Sequence, residues 1–140
     1  MRTVVVYESL TGNTRTAAEL IGAELRSSGV DATVCAIDEV DLTALAAADL
    51  VVVGSWVDGF IFVGQRPGRA GRLRKLPVID GKTAAVFCTY AVDPGKTLTK
   101  LSDIVTDRGG KVIGGVAIKR GNLADGARDF VDRVLATVNA

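Results

Sequence analysis

The stretch "YESLTGNTRTAAELIG", residues 7–22, joins a short apolar run to the start of a helical pattern. Four small polar residues fall within six positions of it: Ser9, Thr11, Asn13 and Thr14. Such residues cap helix starts, but one cap is enough for a helix. The surplus favours an anion site, because N–H groups at a helix N-terminus point outward and the helix dipole adds roughly half a positive charge. Gly12 would let the backbone approach a ligand without a Cβ in the way.

The pattern of this loop excludes two common phosphate motifs. A P-loop requires G-x-x-x-x-G-K followed by Ser or Thr, and residues 7–22 contain no lysine. A dinucleotide fingerprint requires the three glycines of G-x-G-x-x-G, whereas residues 8–14 contain one. A monophosphate held by neutral donors therefore fits residues 8–14, hereafter the anion loop, better.

Apolar runs and helical patterns alternate along the chain. Short apolar runs predict five strands, at residues 3–7, 31–37, 49–55, 84–90 and 111–119. Apolar residues at spacings of three and four predict helices over 14–28, 41–48 and 122–138, and over a segment that Asp93 caps and Pro94 opens. The strands are apolar on consecutive residues, as in a parallel sheet covered by helices on both faces. These patterns predict a three-layer, doubly wound α/β fold, with residues 60–75 as a long loop that holds at most a short helix.

The composition limits the classes of protein to which the chain can belong. Its 140 residues, 48% of them hydrophobic, fit a single domain over residues 1–140. No apolar run reaches the roughly 18 residues of a membrane span, and the N-terminal run is too short for a signal peptide, so we expect a cytoplasmic protein. The lack of histidine and the spacing of the two cysteines argue against a zinc site or a histidine triad. The net charge of +1 gives no reason to expect a nucleic acid partner.

Residues 9–14, S-L-T-G-N-T, resemble the phosphate loop of the flavodoxin family, whose pattern is Ser or Thr, any residue, Thr-Gly, any residue, Thr. The resemblance covers essentially the whole chain, because five β-α units accompany the loop. It implies a flavodoxin-like fold with a five-stranded parallel sheet in the order 2-1-3-4-5, and a bound FMN. Around the FMN phosphate it implies Ser9, Thr11, Asn13 and Thr14, with Leu10 and Gly12 in the same loop.

Two further segments, residues 55–66 and 89–95, leave the edge of the predicted sheet at which ligands bind in such folds, and we expect the site to be built from them and the anion loop. Trp56 and Tyr90, two of only seven aromatic residues, lie at the ligand-side ends of the third and fourth predicted strands. Ordinary packing would explain either one alone, but their joint position favours a sandwich around a flavin ring. The resemblance implies these FMN-binding residues in the two segments: Ser55, Trp56, Val57, Asp58, Gly59, Thr89, Tyr90 and Ala91.

Residues 66–75, hereafter the basic run, carry five basic residues and no acidic one. A solvated charged surface is the ordinary explanation of such a run. The functional alternative is a docking patch for an acidic partner, or for the phosphate of a nucleotide substrate. Redox partner proteins would then dock on the basic run, Arg66–Lys75, and on an apolar lip at Phe60–Val63.

Three functions fit the resemblance. The favoured one is an FMN-binding electron-transfer flavoprotein that shuttles electrons between a reductase and an acceptor enzyme, with no residue acting as acid or base. The second is an FMN-dependent oxidoreductase acting on a quinone, NAD(P)H or a porphyrin precursor, in which Arg66, Arg69 and Arg72 would bind an anionic substrate. A chain of 140 residues leaves little room for such a substrate pocket. The third is a flavodoxin-like interaction domain without flavin.

Val57 follows the tryptophan at a position where many flavodoxins have glycine. In those relatives the peptide flips there and hydrogen-bonds flavin N5 when the neutral semiquinone forms. A β-branched residue resists positive φ, so either the flip moves to the Asp58-Gly59 peptide or the semiquinone is less stabilised. We predict the second, and expect less semiquinone than a typical flavodoxin accumulates in a reductive titration followed by absorbance. A large, stable population of neutral semiquinone would contradict this prediction.

Overall fold

A computed structural model of the chain describes residues 1–59 and 64–140. The strands in these ranges are β1 (Arg2–Tyr7), β2 (Asp31–Ala36), β3 (Leu50–Asp58), β4 (Arg66–Pro67), β5 (Thr83–Tyr90) and β6 (Lys111–Lys119). The α-helices are α1 (Asn13–Ser27), α2 (Leu42–Ala47), α3 (Ala70–Leu73), α4 (Thr97–Asp107) and α5 (Leu123–Val138). Short 3-10 turns at Ile37–Glu39 and Arg120–Asn122 precede α2 and α5.

Five strands pair in parallel in the order β2-β1-β3-β5-β6. When these principal strands are numbered in chain order, this is the predicted order 2-1-3-4-5, and the predicted fold class is confirmed. The order changes direction at β1, whose neighbours are β2 and β3. Because the strands are parallel, the anion loop and the segments after β3 and β5 all leave the same edge of the sheet, where ligands bind in doubly wound folds.

The central strands are buried on both faces because their apolar residues are consecutive. Val4, Val5 and Val6 of β1 are all at most 1% exposed. Alternate strand residues point to opposite faces, so Val4 and Val6 join one core with residues of α2, α3 and α4. Val5 joins a second core, on the face that α1 and α5 cover. Two apolar layers of this kind leave the strand ends as the natural place for polar groups.

β3 is longer than predicted and continues through Asp58. Its last two residues pair with β4 in antiparallel register, Val57 opposite Pro67 and Asp58 opposite Arg66. The segment predicted as a loop at 60–75 therefore contains a short strand as well as the short helix α3. A strand of two residues shows no periodicity that could reveal it in the sequence. The proposed apolar lip at Phe60–Val63 lies outside the described residues.

The predicted helix start at Asp93 and Pro94 is wrong, because α4 begins at Thr97. Oδ1 of Asp93 accepts a hydrogen bond from the N–H of Gly95 at 3.0 Å, which forms a local turn. Gly95 has a φ of 54°, a left-handed conformation that a continuing right-handed helix does not allow. An Asp-Pro pair is typical of both a helix start and a turn, and here the glycine decides for the turn.

Gly54 of β3 lies directly opposite Phe87 of β5, and a Cβ built on Gly54 would overlap the phenyl ring. We predict that Gly54→Ala lowers the free energy of unfolding by about 1–3 kcal/mol through overpacking. Chemical denaturation measures the change. Adding Phe87→Leu should recover part of the loss, because the smaller side chain makes room for the new methyl group.

Gly114→Ala is the matched control, since Gly114 also lies in a strand, and no heavy atom beyond its chain neighbours lies within 4 Å of a Cβ built there. We expect this substitution to change the free energy of unfolding by less than about 0.5 kcal/mol. Equal losses in Gly54→Ala and Gly114→Ala would contradict the assigned contact with Phe87.

Candidate functional site

A cleft of about 550 Å³ opens at the carboxyl edge of the sheet. Its walls come from the anion loop, the end of β3, the segment after β5 and the turn after β6. This volume falls within the roughly 300–1,000 Å³ of small-molecule and cofactor sites. The cleft is therefore the natural candidate for the functional site.

The anion loop both caps α1 and leaves donors open. Gly12, just before α1, has a φ of 100°, which favours glycine. Oγ of Ser9 accepts hydrogen bonds from the N–H groups of Gly12 at 3.2 Å and Arg15 at 3.3 Å. The N–H groups of Asn13 and Thr14, two residues that line the cleft, have no acceptor among the described residues. These donors are available to an anion at the positive end of the helix dipole.

A buried pair of hydroxyl groups connects the anion loop side of the cleft with β5. Oγ1 of Thr14 and Oγ1 of Thr89 lie 2.8 Å apart, and both residues line the cleft. One hydroxyl donates to the other, so the accepting hydroxyl keeps its own proton. That proton is available to a ligand in the cleft.

Trp56 lines the cleft and is supported by the backbone of Gly68 and the side chain of Arg69. The N–H of Gly68 donates to the Trp56 carbonyl at 2.8 Å, and Oγ of Ser55 donates to the Gly68 carbonyl at 2.8 Å. A Cβ built on Gly68 would overlap the indole ring, so only glycine allows this close approach. The guanidinium carbon of Arg69 lies 5.8 Å from the ring centroid.

Hydrogen bonds connect the segment after β3 with the segment after β5, which follows Tyr90. Gln65 is mostly buried and lines the cleft. Its Nε2 donates to the carbonyl of Asp93, and Nζ of Lys100 donates to the carbonyl of Gln65 at 2.8 Å. Two walls of the cleft are thereby held at a defined separation.

The structure brings most of the predicted site residues together around the cleft. Those that line it are Leu10, Thr11, Asn13, Thr14, Trp56, Val57, Gly59, Thr89, Tyr90 and Ala91. The predicted residues outside the lining are Ser9, Gly12, Ser55 and Asp58. Ser9 and Gly12 shape the helix start and Ser55 holds Gly68, whereas Oδ2 of Asp58 lies 3.6 Å from Nη2 of Arg66.

Four lining residues are not among the named site residues: Gln65, Val92, Asp93 and Arg120. Three of them, Gln65, Val92 and Asp93, lie in the segments 55–66 and 89–95 from which the sequence predicts that the site is built. The fourth, Arg120, follows a strand whose end does not enter that prediction. The position of each after or near a parallel strand was the one available signal.

Part of the basic run is paired with acids. Nη1 of Arg69 lies 3.0 Å from Oε1 of Glu8, and Nη1 of Arg72 lies 3.5 Å from the same oxygen. Glu8 is only 4% exposed, so its carboxylate depends on these partners. The basic run is thus in part a structural element at the carboxyl end of β1.

Cys88 is the more deeply buried of the two cysteines. Burial raises the pKa of Cys88 to about 12, which keeps this core thiol protonated and unreactive.

Residues 1–59 and 64–140 contain no group of three or more His, Cys, Asp and Glu side chains able to hold a metal ion. In the same ranges, no helix combines the length and the apolar character needed to span a membrane.

Solved structures with the same fold include several flavodoxins. One from the domain Archaea is 24% identical, with 96% of this chain and 99% of that chain covered and a TM-score of 0.67. The two-electron reduced flavodoxin of Megasphaera elsdenii is 20% identical, with 91% and 98% covered and a TM-score of 0.68. A single-residue variant of a Pseudomonas aeruginosa flavodoxin is 13% identical over all of both chains, with a TM-score of 0.75.

Sequence comparison identifies the family of the chain more directly than do these structures, which share at most 24% identity with it. No curated protein sequence matches the chain significantly. The family model described as a flavodoxin domain matches residues 4–101, more than half of the chain. This match includes the anion loop, Trp56 and Tyr90, and it supports FMN as the cofactor and electron transfer as the general role. The chain therefore belongs to the flavodoxin family.

Proposed function

We propose that residues 1–140 act as one domain that binds FMN and carries electrons between a reductase and an acceptor enzyme. The observation that carries this proposal is the cleft itself, which joins open backbone donors at one helix start to two aromatic residues. These are the two chemical requirements of FMN, an anionic phosphate and a flat apolar ring system. The residues present therefore fit the cofactor.

The anion loop would hold the phosphate. Asn13 and Thr14 offer backbone N–H groups without an acceptor among the described residues. Thr11, in the same loop, also lines the cleft. Neutral donors at the positive end of α1 suit a monophosphate. The contacts of Ser9 and Gly12 support an indirect role, in which Ser9 stabilises the helix start and Gly12 sets the path of the backbone.

The ring system would lie between Trp56 and the segment after β5. Trp56 and Tyr90 supply aromatic surface, and Thr89 and Ala91 supply backbone and hydroxyl groups at its edge. When bound, FMN supplies the redox chemistry by accepting and releasing electrons. Asp93 and Arg120 are the charged members of the described lining.

The basic run supports docking of an acidic partner protein. Arg74 and Lys75 are exposed, and Arg66 and Arg72 remain about half exposed despite their ion pairs. Such a surface would steer a partner of opposite charge towards the cleft. The apolar lip at Phe60–Val63 remains part of this proposal but lies outside the described residues. A cytoplasmic location also stays a prediction.

Fluorescence of the single tryptophan tests FMN binding directly. We expect FMN added to the flavin-free protein to quench Trp56 emission with one equivalent at saturation, because the ring would stack on the indole. Trp56→Phe should bind FMN more weakly, as followed by the flavin's own emission. Electron transfer from a flavin reductase to the bound FMN, and from there to a cytochrome, then tests the carrier role.

Two outcomes would contradict the proposal. Absence of binding at excess FMN would leave the flavin-free interaction domain as the better hypothesis. Turnover of a quinone by the isolated protein, with NAD(P)H as the only reductant, would favour the enzyme hypothesis.

The left-handed backbone of Gly12 is predicted to be necessary for the phosphate contact. Gly12→Ala forces a side chain into a conformation that costs about 1–2 kcal/mol, although no heavy atom beyond its chain neighbours lies within 4 Å of the new Cβ. If the loop relaxes away from this strain, FMN binding must restore it, and the Kd should rise about 5- to 30-fold. Riboflavin, which lacks the phosphate, should bind both proteins with similar affinity.

Gly29→Ala is the matched control for this experiment. Gly29 follows the opposite end of α1, has a φ of 80° and likewise has open space around a built Cβ. We expect a similar loss of unfolding free energy and an unchanged Kd for FMN. If Gly29→Ala weakened FMN binding as much as Gly12→Ala, the effect would be general destabilisation and the phosphate assignment would be wrong.

A further inference from the structure

Arg69 has a backbone conformation that needs an explanation. Its φ is 49°, and among the described residues it is the single non-glycine residue with positive φ. A long side chain in this region is unfavourable, and such residues persist where the surrounding structure over-determines them. The contacts of the Arg69 side chain therefore have to account for this backbone conformation.

The guanidinium of Arg69 contacts two groups from different segments around the cleft. Nη1 donates to Oε1 of Glu8 at 3.0 Å, and Glu8 is the first residue of the anion loop. The guanidinium carbon also lies over the ring of Trp56, 5.8 Å from its centroid. One cation thus contacts Glu8, at the start of the loop proposed for the phosphate, and Trp56, the aromatic residue proposed to stack on the ring system.

Arg69 meets Trp56 from outside the cleft. Trp56 belongs to the cleft lining, whereas Glu8, Gly68 and Arg69 do not. Gly68 approaches the same indole so closely that a Cβ would overlap it. The indole therefore has one side towards the cleft and another covered by the segment that holds Arg69.

We propose that Arg69 is a positioning residue that orients Trp56 for the cofactor and links Trp56 to Glu8, the first residue of the anion loop. The proposal rests on FMN binding as described above. The buried carboxylate of Glu8 fixes the guanidinium, because a buried charge needs its partner. The guanidinium then lies against the negative face of the indole π-system, where a cation is attracted to the ring.

Arg72 provides a matched control within the same ion cluster. Its Nη1 lies 3.5 Å from the same Glu8 oxygen that Arg69 contacts. Its side chain is 51% exposed, against 38% for Arg69. Within residues 1–59 and 64–140, Arg72 makes no cation–π contact. Arg69→Met and Arg72→Met each remove one positive charge and one partner of Glu8, but only Arg69→Met removes the contact with Trp56.

The first measurement uses the protein without FMN. Acrylamide quenching and the emission maximum of Trp56 report how the indole is covered. We expect Arg69→Met to increase the quenching constant and shift the emission, and Arg72→Met to leave both unchanged. Arg69→Lys keeps a cation at the same backbone conformation and should restore part of the wild-type values.

The second measurement is the Kd for FMN. We expect Arg69→Met to raise it about two- to fivefold, the factor that corresponds to a cation–π contact of about 0.5–1 kcal/mol. Arg72→Met should leave the Kd within a factor of about two at the same ionic strength. In a Trp56→Phe background, followed by flavin emission, the effect of Arg69→Met should shrink, because the ring through which Arg69 acts has changed.

The outcomes separate this proposal from the proposed function. If the wild-type protein does not bind FMN, both are overturned. If the wild type binds FMN but Arg69→Met and Arg72→Met have the same quenching constant and the same Kd, Arg69 is a partner of Glu8 alone and only this proposal is overturned. An unchanged effect of Arg69→Met in the Trp56→Phe background would overturn it as well. An increase in the Kd for FMN that occurs in Arg69→Met but not in Arg72→Met, and that is smaller in the Trp56→Phe background, would support it.

Discussion

Burial of β1 and β3 on both faces is the constraint from which the site follows. Every side chain from Val4 to Val6 is enclosed between two helical layers, so a polar ligand site is favoured at the strand ends and not between the layers. The ladder between the two strands runs one residue further, since the N–H of Glu8 donates to the Gly54 carbonyl at 3.0 Å. The anion loop and the segment that carries Trp56 therefore start side by side, although more than forty residues separate them in the chain.

Periodicity in the sequence was enough to predict the layered α/β fold, while the sheet order and the named site residues were implied by the resemblance to flavodoxins. Consecutive apolar residues locate each principal strand, and parallel pairing brings the ends of β1, β3 and β5 to one edge. Periodicity could not single out Gln65 within its segment or find Arg120 at all, because each lines the cleft through tertiary packing of an irregular segment. Asp93 shows the limit of a local signal: the same Asp-Pro pair fits a helix cap and a turn, and the left-handed Gly95 that follows selects the turn.

The basic run illustrates why charge patterns are ambiguous in sequence. A cluster of arginines suggests a solvated surface or a docking patch, yet Arg69 contacts a carboxylate 61 residues away. Glu8 gives no sign in the sequence that it is buried, since an acid after a strand normally faces water. Only the return of the chain through β4, beside the end of β3, brings the two together. The charges of these arginines remain partly exposed even so, which explains why burial of their partner could not be inferred from the sequence.

The anion loop shows that a helix cap and free donors for an anion are compatible in one segment. Oγ of Ser9 accepts hydrogen bonds from two N–H groups at the helix start, so contacts within the protein help to fix the shape of the loop. The N–H groups of Asn13 and Thr14 have no acceptor among the described residues. Gly68 and Arg69 support Trp56 from outside in a comparable way, with contacts made entirely by the protein. Contacts of this kind limit the conformational freedom of the cleft walls, so less of the free energy of binding a cofactor would be lost to ordering them.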